Sequence, residues 1–249
     1  MEDTKIYKTS VTEKEMEIAK KNDFVEIKYS GYANGELFDS NIEEDLKKLD
    51  QKAQAEKVII VVGQGMVVKG FDKEIEGKEI GKEYNIKIRP KDGFGERNKE
   101  LVKTMPLSLF IEKKINPYPG QVFSFDGLLG KIVAVSGARV VTDFNNPLAG
   151  KEIEYKFKIV RKVNDEKEKA EALFKVMFKF VPNFEIKDSI IVKGEELVGE
   201  FVKVFGKKIE ELIGKKVKFE LVEKNKSSEN KAQEKIKNEN NNTYKDTAL

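Results

Sequence analysis

The sequence predicts an α+β protein made of several small units, and three observations predict it. Apolar residues alternate with polar ones in short runs, as in Val25-x-Ile27-x-Tyr29 and Ile153-x-Tyr155-x-Phe157-x-Ile159, which is the two-residue period of a strand with one buried face. Between such runs, residues 97–142 carry their own turns and a local net charge of +4, from seven basic and three acidic residues, before a final strand at Ile153–Val163 resumes the earlier pattern. A chain that leaves a β-domain and returns to it with one more strand implies an inserted domain. Beyond residue 164 the period changes: Leu197, Phe201, Phe205, Ile209, Leu212 and Ile213 form the apolar stripe of a helix.

The elements follow in order. Residues 1–21 read as a polar extension with a short helix, opened by the capping box Thr12-x-x-Glu15 and continued by Met16, Ile18 and Ala19; a loosely docked arm is expected. Phe24, Val25, Ile27 and Tyr29 predict a strand ending at Ser30-Gly31, and Glu36-Leu37-Phe38 a second one after the Asn34-Gly35 turn. The charged stretch Asn41–Lys57, with Leu46 and Leu49 at helical spacing, reads as a surface excursion, and its Glu43-Glu44-Asp45 run as a solvated face. Val58–Val62 is a buried strand by composition, broken at Gly63-Gln64-Gly65; Val67, Val68 and Phe71 open a short helix towards Ile75. Tyr84–Ile88 alternates as a strand and stops at Pro90. In the inserted segment, Leu107–Ile111 predicts a brief helix, and the turns at Asp126-Gly127 and Ser136-Gly137 predict two hairpins. A helix at Ala172–Phe180, a strand at Phe184–Val192, the helix around Phe201 and a strand at Val217–Leu221 make an αβαβ module. The expected organisation is a polar extension (1–21), a discontinuous domain (22–96 and 143–164), an inserted domain (97–142), a C-terminal α/β module (165–223) and a disordered tail (224–249). The tail has five apolar residues in 26, with six Asn and six Lys.

Composition removes whole classes of chemistry. The chain has no Cys and no His, so disulfides, thiolate or imidazole metal sites, cysteine nucleophiles and Ser-His-Asp triads are excluded. No metal and no cofactor is expected. Lys and Arg total 47 against 44 acidic residues, a net charge of +3, too balanced to predict a nucleic-acid binder. No apolar run approaches the roughly 20 residues of a membrane helix, and the first twenty residues hold no signal-type apolar segment. A cytoplasmic protein without membrane contact is expected. Gly63-x-Gly65 lacks the later glycine of a dinucleotide turn, and no phosphate-binding Gly-Lys-Ser/Thr loop occurs.

One resemblance covers residues 22–164. Val25-x-Ile27-x-Tyr29-x-Gly31, then Gly35-x-x-Phe38-Asp39-Ser40, then Gly63-Gln64-Gly65-Met66-Val67-Val68-Lys69-Gly70-Phe71-Asp72, and later Gly77–Lys82 and Asp92–Glu96, occur in the order found in FKBP-type peptidyl-prolyl isomerases. The inserted segment followed by Asn145-Asn146-Pro147-Leu148-Ala149-Gly150 resembles the SlyD-like branch, in which an insert-in-flap domain interrupts the isomerase domain; with its C-terminal module the chain most resembles the long archaeal members. The resemblance implies an FKBP-like antiparallel half-barrel sheet around a short helix. It also implies a proline pocket lined by Tyr29, Phe38, Asp39, Ile60, Val67, Val68, Phe71, Phe94 and Tyr155, with a backbone donor at Val67-Val68. Without the motif, Tyr29, Phe38 and Tyr155 would read as ordinary core aromatics, Asp39 as a turn cap and Phe94 as a loop anchor.

The chain departs from the family pattern at several positions. Asn146 stands where the branch usually has His, Phe94 where Tyr is common, Phe71 where many relatives have Trp, and Val58 where an aromatic is frequent. The His- and Cys-rich nickel tail of the bacterial branch is missing, so the resemblance carries no metallochaperone role.

The implied partners are unfolded or partly folded proline-containing polypeptides. Met105, Leu107, Leu109, Phe110, Phe123, Phe125, Leu128 and Leu129 are more apolar residues than a domain of this size can bury. The family implies that such a patch holds unfolded chains, and Met105, Leu109, Phe110, Phe123, Phe125, Leu128 and Leu129 are its candidates. The reading is therefore a prolyl isomerase with holdase-type chaperone activity. A non-catalytic polypeptide-binding chaperone and a ribosome-associated folding factor, the latter argued from the basic insert and Lys/Asn-rich tail, stand as alternatives. In the module at 165–223, twelve basic and thirteen acidic residues and no chemical constellation leave the role open.

Overall fold

The computed structural model describes residues 16–222; the Thr12-x-x-Glu15 capping box and the tail from residue 224 lie outside them. The described residues form two compact units, divided between Val163 and Asn164.

In the first unit the order is β1 (Phe24–Ala33), β2 (Glu36–Ser40), α1 (Glu43–Leu49), β3 (Val58–Val61), α2 (Lys69–Ile75) and β4 (Glu83–Ile88), then the inserted β5 (Val102–Pro106), α3 (Leu107–Glu112), β6 (Val122–Phe125), β7 (Leu128–Ser136) and β8 (Arg139–Asp143), and finally β9 (Ile153–Lys162). The main sheet has the order β2-β1-β9-β4, with β3 also pairing with β1, and every pairing in it is antiparallel. This is the α+β arrangement of an antiparallel sheet around a short helix that the resemblance implies, with α2 packed across the inner face. β1 carries the design. β9 lies along one of its edges, while β3 covers Phe24–Ile27 and β2 covers Ser30–Ala33 on the other.

The two-residue gap between β3 and β2 is closed by a side chain. Asn41 accepts from the Tyr29 N–H and donates to the Ile27 carbonyl, both at 2.8 Å, and its own N–H reaches the Tyr29 carbonyl at 3.2 Å. A buried backbone N–H and C=O are thereby satisfied where no strand reaches them. The inward residues Val25, Ile27, Ile153, Tyr155, Phe157 and Ile159 are buried against Phe71 and Ile75 of α2. Each contributes roughly 1.5–3 kcal/mol of apolar burial.

The end of the N-terminal extension is docked, contrary to the expectation of a loose arm. Ala19 is fully buried; its N–H donates to the Lys78 carbonyl and its carbonyl accepts from the Gly77 N–H, both at 2.8 Å, while the Ile80 N–H reaches the Glu17 carbonyl. A small apolar residue fits against the 77–81 turn, and the backbone pairing is invisible to side-chain patterning.

The insert is a four-stranded sheet, β5-β8-β7-β6, rather than two hairpins. β5 was missed because Pro106 reads as a breaker; at a sheet edge a proline costs no ladder bond. Phe110 from α3 packs with Phe123, Ile132 and Val140 as the insert's core. The two linkers that join insert and main sheet are tied together. The Asn98 N–H donates to Asn145 Oδ1 at 2.8 Å, Asn145 Nδ2 donates to the Asn98 carbonyl at 2.9 Å, and Arg97 pairs with Asp143 at 2.7 Å.

The second unit contains α4 (Glu166–Met177), β10 (Asn183–Ile186), β11 (Ile190–Gly194), α5 (Glu196–Ile213) and β12 (Val217–Leu221). The single strand expected over Phe184–Val192 is a hairpin, turning at Lys187-Asp188-Ser189, where the Lys187 N–H donates to the Ser189 carbonyl at 3.0 Å. The module is thus αββαβ. β12 joins β11 in parallel through the α5 crossover, and Gly199 of α5 lets Phe219 approach to where a Cβ would stand 2.8 Å from its ring. Phe178, Phe201 and Phe205 pack together between the helices.

Candidate active site

The concave end of the main sheet gathers the aromatic residues. Tyr29 and Gly31 alternate inward along β1, Phe38 and Asp39 stand near the end of β2, Tyr155 lies opposite Gly31 on β9, and Phe71 rises from the first turn of α2. Phe71 and Tyr155 stack at 4.5 Å with 10° between their planes, and Phe157 meets Phe71 edge-on at 5.0 Å. Tyr29 stands 6.0 Å from both Phe71 and Tyr155. Phe38 bridges Tyr155, at 6.0 Å, and Phe94, at 5.8 Å, in T-shaped contacts. Edge-to-face and offset contacts of this kind fix ring orientation as well as burying area. Gly31 makes the closeness possible: a Cβ built there would lie 2.8 Å from Tyr155 Cε1 and 2.9 Å from Phe38 Cζ.

Polar groups are few and aimed. The Tyr29 hydroxyl donates to Asp39 Oδ2 at 3.0 Å. Burial first, then the adjacent Asp39 carboxylate, pushes Tyr155 up to about 12 and holds Tyr29 well above the ordinary phenol range, so both stay neutral. Val68 is extended (φ −57°, ψ 141°) at the N-terminal cap of α2. Among the described residues, neither the Val67 nor the Val68 N–H has an acceptor. Such a site can recognise a carbonyl and enclose an apolar ring. Among the described residues no group of acidic side chains is arranged to hold a metal, and no helix is long and apolar enough to cross a membrane.

The nine pocket candidates converge, with different exposures. Tyr155, Phe71 and Ile60 are buried, while Tyr29, Phe38, Val67, Val68 and Phe94 are half-buried against the same cluster and Asp39 is half-buried beside Tyr29. Val58 also packs against this cluster. Sequence reasoning missed Gly31 as a spacer, Asn41 as a bridge and Met66, whose sulfur accepts the Val61 N–H at 3.0 Å. The glycine within a strand run was the available signal for the first.

The insert candidates separate. Phe110 (0% exposed) and Phe123 (8%) are core residues and are corrected from chain binding: neither presents a surface unless the insert opens. Met105, Leu109 and Phe125 are half-buried against that core. Leu128 (64%) and Leu129 (69%) are fully presented, joined by Val122, which was not anticipated. These three line a groove of about 700 Å³ that also includes Arg97, Phe144 and Pro147.

Comparison with known proteins places this geometry. Residues 15–112 match the model of the FKBP-type peptidyl-prolyl cis-trans isomerase family, and residues 103–148 match the model described as "FKBP26, IF domain". The short-type peptidyl-prolyl cis-trans isomerase of Methanocaldococcus jannaschii is 31% identical over 145 residues, 57% of this chain and 92% of that protein. FKBP-type peptidyl-prolyl cis-trans isomerases SlyD from Haemophilus influenzae and Vibrio cholerae are 29% and 30% identical, over 39% and 47% of this chain; the matched segments span 53% and 60% of those proteins. With an aromatic cluster on the inner face of its sheet and an inserted segment that matches the IF-domain model, the chain belongs to the FKBP-type peptidyl-prolyl cis-trans isomerases and is similar to their SlyD members.

Proposed function

We propose that the chain isomerises X-Pro bonds in folding polypeptides, and that its insert holds those polypeptides beside the proline pocket. X-Pro isomerisation makes and breaks no covalent bond; its barrier is rotation about a C–N bond of partial double-bond character, about 18–20 kcal/mol. The twisted transition state has lost amide resonance and is less charge-separated than the planar amide, so a dry aromatic cavity favours it relative to water. In this reading Phe71 and Tyr155 floor the cavity under the prolyl ring. Phe38 and Phe94 close its rim, and the Val68 N–H donates to the carbonyl that precedes the proline. Asp39 orients the Tyr29 hydroxyl and moves no proton. The observation that carries the reading is the pair of Val67 and Val68 N–H groups, without an acceptor among the described residues, beside the stacked Phe71–Tyr155 rings. It needs no His or Cys.

Support for the holding role comes from the apolar ridge of Val122, Leu128 and Leu129, three large side chains each more than 60% exposed on a small domain. Holding a chain there raises its effective concentration at the pocket. Leu128→Lys/Leu129→Lys tests this without disturbing the core. Refolding of a proline-limited protein is expected to lose most of its acceleration, while tetrapeptide turnover stays within about twofold. Equal loss on both substrates, or on neither, refutes the division of labour.

A further inference from the structure

Asp72 lies next to the pocket floor and has no place in the mechanism above. It sits in the first turn of α2, directly after Phe71, and is 7% exposed. Among the described residues no cation pairs with it. Its carboxylate instead faces the loop that leads into its own helix: the Gly63 N–H donates to Oδ1 at 2.8 Å and the Gly65 N–H donates to Oδ2 at 2.7 Å. Both glycines hold left-handed backbones, φ +77° and +69°, which turn the two N–H groups towards one point. The Asp72 N–H meanwhile donates to the Val68 carbonyl at 3.0 Å. One residue therefore grips both ends of the Gly63–Val68 segment, its side chain at the start and its backbone at the end.

We propose that Asp72 is a positioning residue for the isomerase reaction, setting the direction of the Val68 N–H by anchoring the 63–68 loop to α2. The inference rests on the reading of that N–H as the carbonyl donor. Charge matters in the grip. A carboxylate accepts two N–H groups at once, and such bonds are roughly twice as strong as neutral ones. Asparagine keeps one acceptor and turns an NH₂ group against the other N–H, freeing one end of the loop. A donor that meets the substrate carbonyl in both the planar and the twisted state contributes uniform binding, so its displacement raises KM and leaves kcat nearly unchanged.

The experiment uses the full chain with a proline tetrapeptide, measuring kcat and KM separately, thermal unfolding, and the amide resonance of Val68 during peptide titration. Asp72→Asn is expected to raise KM about tenfold with kcat within about twofold. Asp72→Glu, which keeps the charge, is expected to recover most of it. Ile75→Val, a fully buried change in the same helix, provides the stability control and is expected to leave KM unchanged while the protein is folded. A wild-type KM in Asp72→Asn, or an equal rise in Ile75→Val, overturns the proposal. Should Asp72→Asn not fold, Asp72→Glu against Ile75→Val decides by the same KM criterion, with a threefold rise expected, about 0.65 kcal/mol. If the Val68 resonance of the unaltered chain does not move on peptide binding, the donor reading falls and this proposal with it. If the resonance moves and KM in Asp72→Asn does not, only the role of Asp72 falls.

Discussion

Replacing Gly31 with alanine adds one methyl group where the walls of the pocket come closest. The new carbon would stand 2.8 Å from Tyr155 Cε1 and 2.9 Å from Phe38 Cζ. Apolar carbons rest at roughly 3.5–4.0 Å, so the rings must part by roughly 0.7 Å or more. Gly31 does not have a left-handed φ, so the backbone accepts the substitution and the whole cost is steric. Tyr155 has nowhere to go, since it is 4% exposed and stacked on Phe71 at 4.5 Å. Phe38 has the free side and moves into the pocket, towards Phe94. Overpacking of this size costs about 1–3 kcal/mol, divided between lost stability and a narrowed cavity. With about half of that cost falling on the cavity, at about 1.36 kcal/mol per tenfold, kcat/KM on a proline tetrapeptide is expected to fall roughly 2- to 13-fold, with a melting temperature a few degrees lower. Turnover and thermal unfolding are measured on the same preparation. Wild-type turnover with an unchanged melting temperature would refute the placement of Gly31 between the two rings.

Other consequences follow from single contacts. Asn41→Ala leaves the Tyr29 N–H and the Ile27 carbonyl unpaired inside the sheet and is expected to cost about 2–4 kcal/mol in denaturant unfolding; a loss under 1 kcal/mol would mean water repairs the gap. Thr142 Oγ1 is the one buried side-chain oxygen without a partner among the described residues, so Thr142→Val is expected to stabilise the insert by about 1 kcal/mol; a destabilised variant would show that the hydroxyl is bonded. Because the Tyr155 phenol is raised to about 12 in the folded chain, the stability it contributes is complete below the unfolded value near 10 and is lost as pH climbs towards 12. Tyr155→Phe is therefore expected to flatten that alkaline loss, and kcat/KM of the unaltered chain to stay constant between about pH 7 and 9; a titration in that window would contradict neutral tyrosines.

What the sequence made legible is what side chains encode. Val25, Ile27 and Tyr29 alternate because one face of β1 is buried, and eight of the nine residues singled out by the ordered glycine and aromatic motifs share one cluster, with Asp39 joined to it through the Tyr29 hydroxyl. What stayed hidden was carried by backbone or by context. The docking of Ala19 and the strand at Val102–Pro106 depend on main-chain pairing with distant partners, and proline at a sheet edge looks the same as proline in a loop. The turn at Lys187-Asp188-Ser189 was hidden in a run that reads as one continuous strand. In the insert, Phe110 and Phe123 could not be told from Leu128 and Leu129 by composition, because which apolar residues of a small domain go inside is decided by the sheet's pairing. Asn41 and Asp72 are polar residues used for backbone bonds, a role that leaves no periodic signal.

The most direct test of the account compares two substrates in one preparation: a proline tetrapeptide, and a protein whose refolding is limited by a proline bond, each with catalytic amounts of the full chain. If the pocket and the insert act together, both are accelerated and the protein substrate shows the higher kcat/KM by an order of magnitude or more, roughly as expected for a tethered substrate. Equal kcat/KM values would contradict a holding role for the insert, and tetrapeptide turnover with no effect on refolding would contradict the proposed function.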